Sequence, residues 1–190
     1  YLGYQRFIAE PKETEAISEL NQAQYFFELA LVSNESDSLF KLALNGGEGK
    51  YGFLDIVDEY SGTKAANLAN YSIGMSYLNL KEYDKAIVYL EKFNSDDILL
   101  KSISLGTIGD CFSELNQPKE AFEYYKKAFK HNENIYTTPK YLFKAALLGS
   151  ELGEYRSALN YLNRIKEEFP DSYEFSLVEV QIGRIENLNN

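Results

Sequence analysis

Apolar residues recur every three to four positions along most of the chain, which is the spacing of amphipathic helices. The pattern is interrupted at Lys81-Glu82, at Asn116-Gln117-Pro118 and at Gly153-Glu154. All four prolines fall at predicted helix boundaries, where they do not disturb a helix interior. The pattern therefore predicts a succession of short helices joined by tight turns. No apolar run reaches the roughly 18 residues that a membrane-spanning helix needs.

Small residues mark a period of about 35 residues. Gly74 and Gly109 are 35 residues apart, as are Ala86 and Ala121, and Ala158 follows Ala121 by 37. Small side chains at fixed positions let two helix backbones approach closely, while large neighbours fill the remaining space. The period therefore predicts repeated helix pairs.

The residues around these small positions also repeat. The frame Ile73-Gly74-x-x-Tyr77 with Ala86-x-x-x-Leu90 returns as Ile108-Gly109-x-x-Phe112 with Ala121-x-x-x-Tyr125. A third copy has Ala145-Ala146-x-x-Gly149, Ala158-x-x-x-Leu162 and Pro170. These motifs resemble the tetratricopeptide repeat, whose pattern has a period of 34 residues. The resemblance implies an all-α array of helical hairpins, an α-solenoid in which each repeat contains antiparallel helices A and B.

The repeat frame also predicts how the chain is organised. Residues 12–66 are interpreted as a degenerate first repeat, with a long N-terminal helix near 12–33 and a second helix near 47–60. Residues 33–46 would be an insertion with a short helix at 36–44. In this alignment Gly49 takes the position of Ala158. Three tetratricopeptide repeats follow at 67–171, and 172–190 form a C-terminal capping helix. Thr138, and Asp171 with Glu174, are the expected helix caps.

Composition and charge narrow the possible functions. The chain has 190 residues, of which 19 are Lys or Arg and 29 are Asp or Glu, so its net charge is −10. This sign argues against nucleic acid, since phosphates would be repelled. A single Cys and a single His exclude an intramolecular disulfide and multi-cysteine metal motifs, and remove most catalytic triads. We therefore expect a non-catalytic protein without a metal or other cofactor.

Three motifs could suggest other chemistry. Residues 47–52 read G-x-G-x-x-G, but a dinucleotide site requires a strand before the motif, and the preceding residues are predicted to be helical. Cys111 is expected to be a structural thiol on helix A of the second copy. His131 is expected at a helix C-terminus, where a cation opposes the helix dipole. None of these motifs predicts an active site.

The N-terminal residues could belong to a membrane anchor. Residues 1–11 contain aromatic residues, then Arg6, then acidic residues, which is typical of a membrane helix that ends at the interface. A frayed tail, or a helix that continues into the domain, is the alternative. The first interpretation predicts a single N-terminal membrane helix upstream of Tyr1.

The resemblance to tetratricopeptide arrays also predicts a partner-binding surface. In that family, four positions of each helix A usually face a concave groove. An aromatic and Met-containing apolar groove would indicate a protein-binding site. The alternative is that these side chains pack against the long N-terminal helix. The family's clamp for chaperone carboxyl termini uses Lys, Asn and Arg at these positions, and this chain lacks that set. The expected groove residues are Leu68, Tyr71, Met75, Leu78, Ile103, Asp110, Phe143 and Leu147.

A presumed anchor, an acidic repeat domain and the segment Gly62–Tyr71 together resemble the YfgM type of bacterial inner-membrane protein. That resemblance implies a single-pass protein of the inner membrane with its repeat domain in the periplasm. Its implied partners are the SecYEG translocon, a PpiD-like prolyl isomerase, or emerging secreted chains. The alternative is a cell-envelope or outer-membrane assembly scaffold.

Overall fold

The computed structural model describes residues 9–188, and these residues form ten α-helices and no strand. They divide into two compact units, one that ends at Asn94 and one that begins at Ser95. The first unit contains α1 Glu10–Val32, α2 Ser36–Asn45, α3 Phe53–Glu59, α4 Lys64–Asn79 and α5 Tyr83–Lys92. The second contains α6 Leu100–Glu114, α7 Pro118–Lys130, α8 Thr138–Glu151, α9 Tyr155–Glu168 and α10 Phe175–Leu188.

An aromatic cluster joins the first three helices. The ring of Phe27 on α1 meets Phe40 on α2 edge to face at 5.7 Å, and meets Phe53 on α3 at 6.1 Å. All three side chains are buried. Such edge-to-face contacts add to the energy of apolar burial, so they hold α1, α2 and α3 together.

The segment before α3 differs from the expectation. The helix predicted over 47–60 begins only at Phe53, and residues 46–52 form a tight turn closed by backbone hydrogen bonds between Gly47 and Lys50. Four glycines within seven residues lower the helix propensity of this segment, which explains the shift. Gly49 lies in the turn with open space around it, so the expected equivalence to buried Ala158 is wrong. The helix expected at 36–44 is present as α2, and it packs directly on α1.

The later hairpins are closed by three equivalent turns. Lys81, Asn116 and Gly153 all have positive φ, at 60°, 57° and 79°. In each turn the next residue donates its N–H to a carbonyl five residues earlier: Glu82 to Tyr77 at 2.8 Å, Gln117 to Phe112 at 2.9 Å and Glu154 to Gly149 at 2.7 Å. The three interruptions predicted from the sequence therefore adopt the same type of turn.

Small and large residues meet across these hairpins as the repeat frame predicts. A Cβ on Gly74 would lie 2.7 Å from Cδ2 of Leu90, and one on Gly109 would lie 2.6 Å from Cε1 of Tyr125. Both distances are shorter than van der Waals contact, so each glycine permits helix A to approach helix B closely. The alanines at the equivalent B-helix position, Ala86, Ala121 and Ala158, are all completely buried.

Polar side chains fix the helix ends of the first unit. The carboxylate of Glu13 on α1 accepts the backbone N–H of Lys64 at 2.8 Å and of Ala65 at 3.0 Å, at the start of α4. Thr63 caps the same helix by accepting the N–H of Ala66 at 3.0 Å. These contacts satisfy N–H groups that would otherwise lack a partner, and a carboxylate is favoured at a helix N-terminus.

Two of the expected helix caps are replaced by neighbouring residues. Thr138 is already the first residue of α8, and the turn before it is organised by Asn134, whose side-chain oxygen accepts the N–H of Tyr136 and of Thr137. The cap expected at Asp171 is provided by Ser172, whose hydroxyl accepts the N–H of Phe175 at 3.2 Å. The helix expected from residue 172 therefore begins at Phe175. The anchor hypothesis concerns residues 1–11, of which residues 1–8 lie outside the described residues and Glu10 and Pro11 belong to α1.

Candidate protein-binding surface on the A helices

Four predicted groove residues form one stripe on α4. Leu68, Tyr71, Met75 and Leu78 follow helical spacing, so their side chains share one face, called here the α4 stripe. Leu68 is 38% exposed, and the other three are half-buried. The ring of Tyr71 lies 5.1 Å from that of buried Phe93, which fixes its position and leaves one side accessible. The stripe is therefore apolar, ordered and partly open.

The polar contacts between the long helix α1 and α4 lie on a different face of α4. The hydroxyl of Ser72 lies 3.5 Å from Oε1 of Gln24, and Glu13 binds the N-terminus of α4. Ser72, Ala65, Ala69 and Ser76 form a buried face of small side chains that suits close contact with another helix. The polar contacts that α1 makes with α4 therefore lie outside the stripe.

The second unit places its four predicted residues on α6 and α8. Ile103 and Asp110 lie on α6, and Phe143 and Leu147 lie on α8; all four are half-buried. Phe143 also packs against the core of this unit. The side chains are exposed enough to take part in a partner contact, and their assignment to a binding groove stays a prediction.

Asp110 is part of a polar network that joins α6, α7 and α8. Its Oδ1 accepts the hydroxyl of Tyr125 at 2.8 Å and forms an ion pair with Nζ of Lys144 at 2.5 Å. Burial and the Asp110 carboxylate raise the pKa of Tyr125, so its hydroxyl keeps its proton and donates it to the hydrogen bond. The carboxylate is thus held in place by two partners inside its own unit.

The three motifs that could have suggested other chemistry have structural roles. Cys111 is completely buried, and burial raises the pKa of its thiol to about 12, which suppresses the reactive thiolate. His131 follows the C-terminus of α7, and its carbonyl accepts the hydroxyl of Ser102 at 2.8 Å. The G-x-G-x-x-G segment follows helix α2, not a strand.

Residues 9–188 contain neither a cluster of metal-ligating side chains nor a helix suited to a bilayer. No group of three or more His, Cys, Asp or Glu side chains is placed to hold a metal ion. None of the helices in this part of the chain is long and apolar enough to cross a bilayer.

Comparison with protein families agrees with this geometry. Residues 69–95 and 103–134 match one family model described as a tetratricopeptide repeat, and residues 140–172 match a second model with the same description. The chain carries a tetratricopeptide-repeat array. Tetratricopeptide repeats typically build non-catalytic scaffolds for protein–protein interaction. Among curated proteins, no sequence matches the chain significantly.

Solved structures share the tetratricopeptide fold. YrrB, described as a TPR protein with an unusual peptide-binding site, superposes with a TM-score of 0.60 and 22% identity, over 97% of this chain and 84% of its own. A structure of nearly identical TPR-like repeats, described as from a kinesin light chain of Podospora anserina, gives a TM-score of 0.61 and 12% identity. That match covers 93% of this chain and 87% of the other. At these identities the similarity shows the fold alone.

Sequence reasoning found the A-helix positions but missed their polar partner. Lys144 pairs with Asp110 from the next repeat, and the two positions are 34 residues apart, close to the repeat period. Lys144 lies about one helical turn before Leu147, the residue equivalent to Asp110, so opposite charges offset by one turn on successive A helices could have indicated this pair. Gly106, which lies one turn before Asp110 on α6, is covered by the ring of Tyr141.

Proposed function

We propose that this protein is a scaffold that binds a polypeptide partner through the α4 stripe. The observation that carries the proposal is one apolar face of α4 on which Leu68 is exposed and Tyr71, Met75 and Leu78 are half-buried. Aromatic and Met side chains are enriched in the centres of protein interfaces, because they bury a large area and adapt to different partners. The peptide-binding description of the structural neighbour YrrB agrees with this role.

We further propose that the scaffold is tethered to the bacterial inner membrane by a helix upstream of Tyr1, with its repeats in the periplasm. Its partners would be a PpiD-like isomerase, the SecYEG translocon, or secreted chains as they emerge. The support for this proposal is the similarity of residues 1–11 to the end of a membrane helix and the resemblance of the segment Gly62–Tyr71 to the YfgM type.

The binding surface can be tested with two matched variants. In Leu68→Glu/Met75→Glu, two carboxylates replace apolar side chains of the stripe without touching the buried face of α4. Val88→Glu is the control, since Val88 is 49% exposed on α5 and lies outside the stripe. We expect the double variant to reduce recovery of crosslinked partner from native membranes by roughly tenfold, and the control to leave it unchanged.

Each outcome has a defined meaning. Equal recovery with the double variant and the wild type, at equal thermal stability, would refute the α4 stripe as the binding surface. The identity of the crosslinked proteins tests the tether and the partners separately. SecYEG with a periplasmic isomerase would support the translocon role, whereas outer-membrane assembly factors would replace it with an envelope-assembly role.

A further inference from the structure

A second accessible surface lies at one end of the second unit. The turn that follows α7 and the turn that follows α9 enclose a cleft of about 440 Å³, called here the terminal cleft. Ile135 and Tyr136 line it from the first turn, and Phe169, Asp171 and Tyr173 line it from the second. This volume falls in the range of sites that hold a few side chains of a ligand.

Three large apolar side chains at the terminal cleft are exposed to solvent. Ile135 is 68% exposed, Tyr136 is 70% exposed and Tyr173 is 78% exposed. Isolated exposed apolar residues are common on proteins, but three around one cleft form a patch of the kind that marks interaction sites. Tyrosine is enriched at such sites because it is large, rigid and amphipathic.

Hydrogen bonds hold both turns in place. Asn134 accepts the N–H of Tyr136 at 2.9 Å and donates its amide to the carbonyl of Asn132 at 2.9 Å. Ser172 donates its hydroxyl to the carbonyl of Phe169 at 2.9 Å and caps α10 through Phe175. The apolar side chains are therefore presented by ordered backbone, which lowers the entropy lost when a partner binds.

The charge of the terminal cleft has one sign. The charged residues that line it are Glu168, Asp171 and Glu174, and all three are acidic. Arg164 binds Glu168 through two hydrogen bonds of 3.0 and 2.8 Å. Asp171 and Glu174 form no ion pair within residues 9–188. Two carboxylates without a counter-ion beside an apolar cleft favour a ligand that carries positive charge.

We propose that the terminal cleft binds a short polypeptide segment in which a Lys or Arg lies next to a large apolar side chain. The apolar side chain enters between Ile135 and Tyr173, and the cation meets Asp171 and Glu174. A second copy of this chain is disfavoured as the occupant, because the same acidic rim would face an acidic protein of net charge −10. The proposal is independent of the α4 stripe, which belongs to the first unit.

Peptide selection tests this site on the whole chain. A random-peptide phage library is selected on the wild-type protein and counterselected on Ile135→Ser/Tyr173→Ser. We expect enriched peptides to share a Lys or Arg beside Leu, Phe, Tyr or Trp. Synthetic versions should bind roughly tenfold more weakly to Asp171→Asn/Glu174→Gln in fluorescence anisotropy, and more weakly at high salt.

Two control proteins make the result specific. Asp58→Asn/Glu59→Gln changes the net charge equally at an exposed helix end of the first unit, and Val180→Ser removes an exposed apolar side chain of α10. Both should bind the peptides like the wild type. The proposal is overturned if counterselection enriches no peptide, if the enriched peptides lack cationic residues, or if Asp58→Asn/Glu59→Gln weakens binding equally. Dimerisation that Tyr173→Ser abolishes would also overturn it, since the occupant would then be a second copy.

Discussion

The ring of Tyr141 on α8 packs against the backbone of Gly106 on α6, and a Cβ on residue 106 would overlap the ring carbons. Tyr141 is buried, and its hydroxyl lies 3.5 Å from the carbonyl oxygen of Ile103. Two successive A helices of the second unit therefore meet through an aromatic ring that needs the space above a glycine. Any side chain at residue 106 must displace this ring.

The first prediction concerns this contact. Gly106→Ala should lower the free energy of unfolding by about 1–3 kcal/mol, because the added methyl group forces the buried ring out of its position. Urea unfolding followed by circular dichroism measures this change. Gly183→Ala is the matched control on α10, where an added Cβ meets no atom within 4 Å. The control should raise stability by up to about 1 kcal/mol. If both variants were stabilised alike, the close contact at Gly106 would be refuted.

The second prediction concerns the three equivalent turns. Lys81 has φ of 60° and is exposed, so its side chain adds strain to the backbone without a buried contact. Lys81→Gly should raise the free energy of unfolding by roughly 0.5–1 kcal/mol, since glycine adopts positive φ without a steric penalty. Thermal melting and urea unfolding measure the gain.

The reciprocal change is the control for this turn. Gly153→Ala places a side chain at the equivalent position, where φ is 79° and no atom lies within 4 Å of the added Cβ. Its loss of stability, about 1 kcal/mol, would then come from backbone conformation alone. Opposite signs for the two variants are expected, and equal signs would contradict the equivalence of the turns.

The third prediction concerns the cap that α1 provides for α4. Glu13→Ala removes the acceptor of the Lys64 and Ala65 N–H groups and should lower the free energy of unfolding by about 1–2 kcal/mol. Hydrogen exchange of these two amides, measured by NMR, should accelerate in the variant. Glu59→Gln, at an exposed residue of α3, is the control and should change neither quantity. Unchanged exchange in Glu13→Ala would show that the cap contributes nothing.

The fourth prediction concerns the alkaline stability of the protein. Burial raises the pKa of Cys111 from 9.0 to about 12, so the folded state keeps the neutral thiol while the unfolded state loses its proton above pH 9. The stabilisation is complete below pH 9 and is lost as the pH rises to about 12. Cys111→Ala should therefore show a shallower decline in unfolding free energy between about pH 9 and 11 than the wild type.

A thiol reagent provides an independent check on Cys111. The buried thiol should react with DTNB at about pH 8 at least roughly a hundredfold more slowly in the native protein than in guanidinium chloride. Rapid reaction of the native protein would contradict the burial of Cys111. It would equally contradict its interpretation as a structural residue.

Much of the fold could be predicted from the sequence because its determinants are local. Small residues such as Gly74, Gly109 and Ala121 lie at positions that repeat along the chain. At each of these positions two helices pack closely together. The turns at Lys81 and Gly153 interrupt the apolar pattern where the chain reverses within a hairpin. The degenerate first unit was less predictable, since the glycines of residues 46–52 delay the start of α3 and α2 also packs on α1.

The candidate binding surfaces could also be predicted only in part. The family frame located Leu68, Tyr71 and Met75 on one face, because helical periodicity alone decides which side chains lie together. It could not decide whether α1 would cover that face, since this depends on which side of α4 the long helix meets. The terminal cleft could not be predicted from the sequence, because Tyr136 and Tyr173 are 37 residues apart. Only the packing of α7, α8 and α9 brings their turns together.

The helices, their period, the acidic charge and the small residues at which helices touch can all be read from the chain without coordinates. They follow from local propensity and from a pattern that repeats along the chain. Only the packed molecule shows that Glu13 caps α4, that Lys144 binds Asp110 and that Tyr141 covers Gly106. Such contacts join residues about 34 to 52 positions apart. Their partners are chosen by how packed helices are placed in space, which no local pattern of residues records.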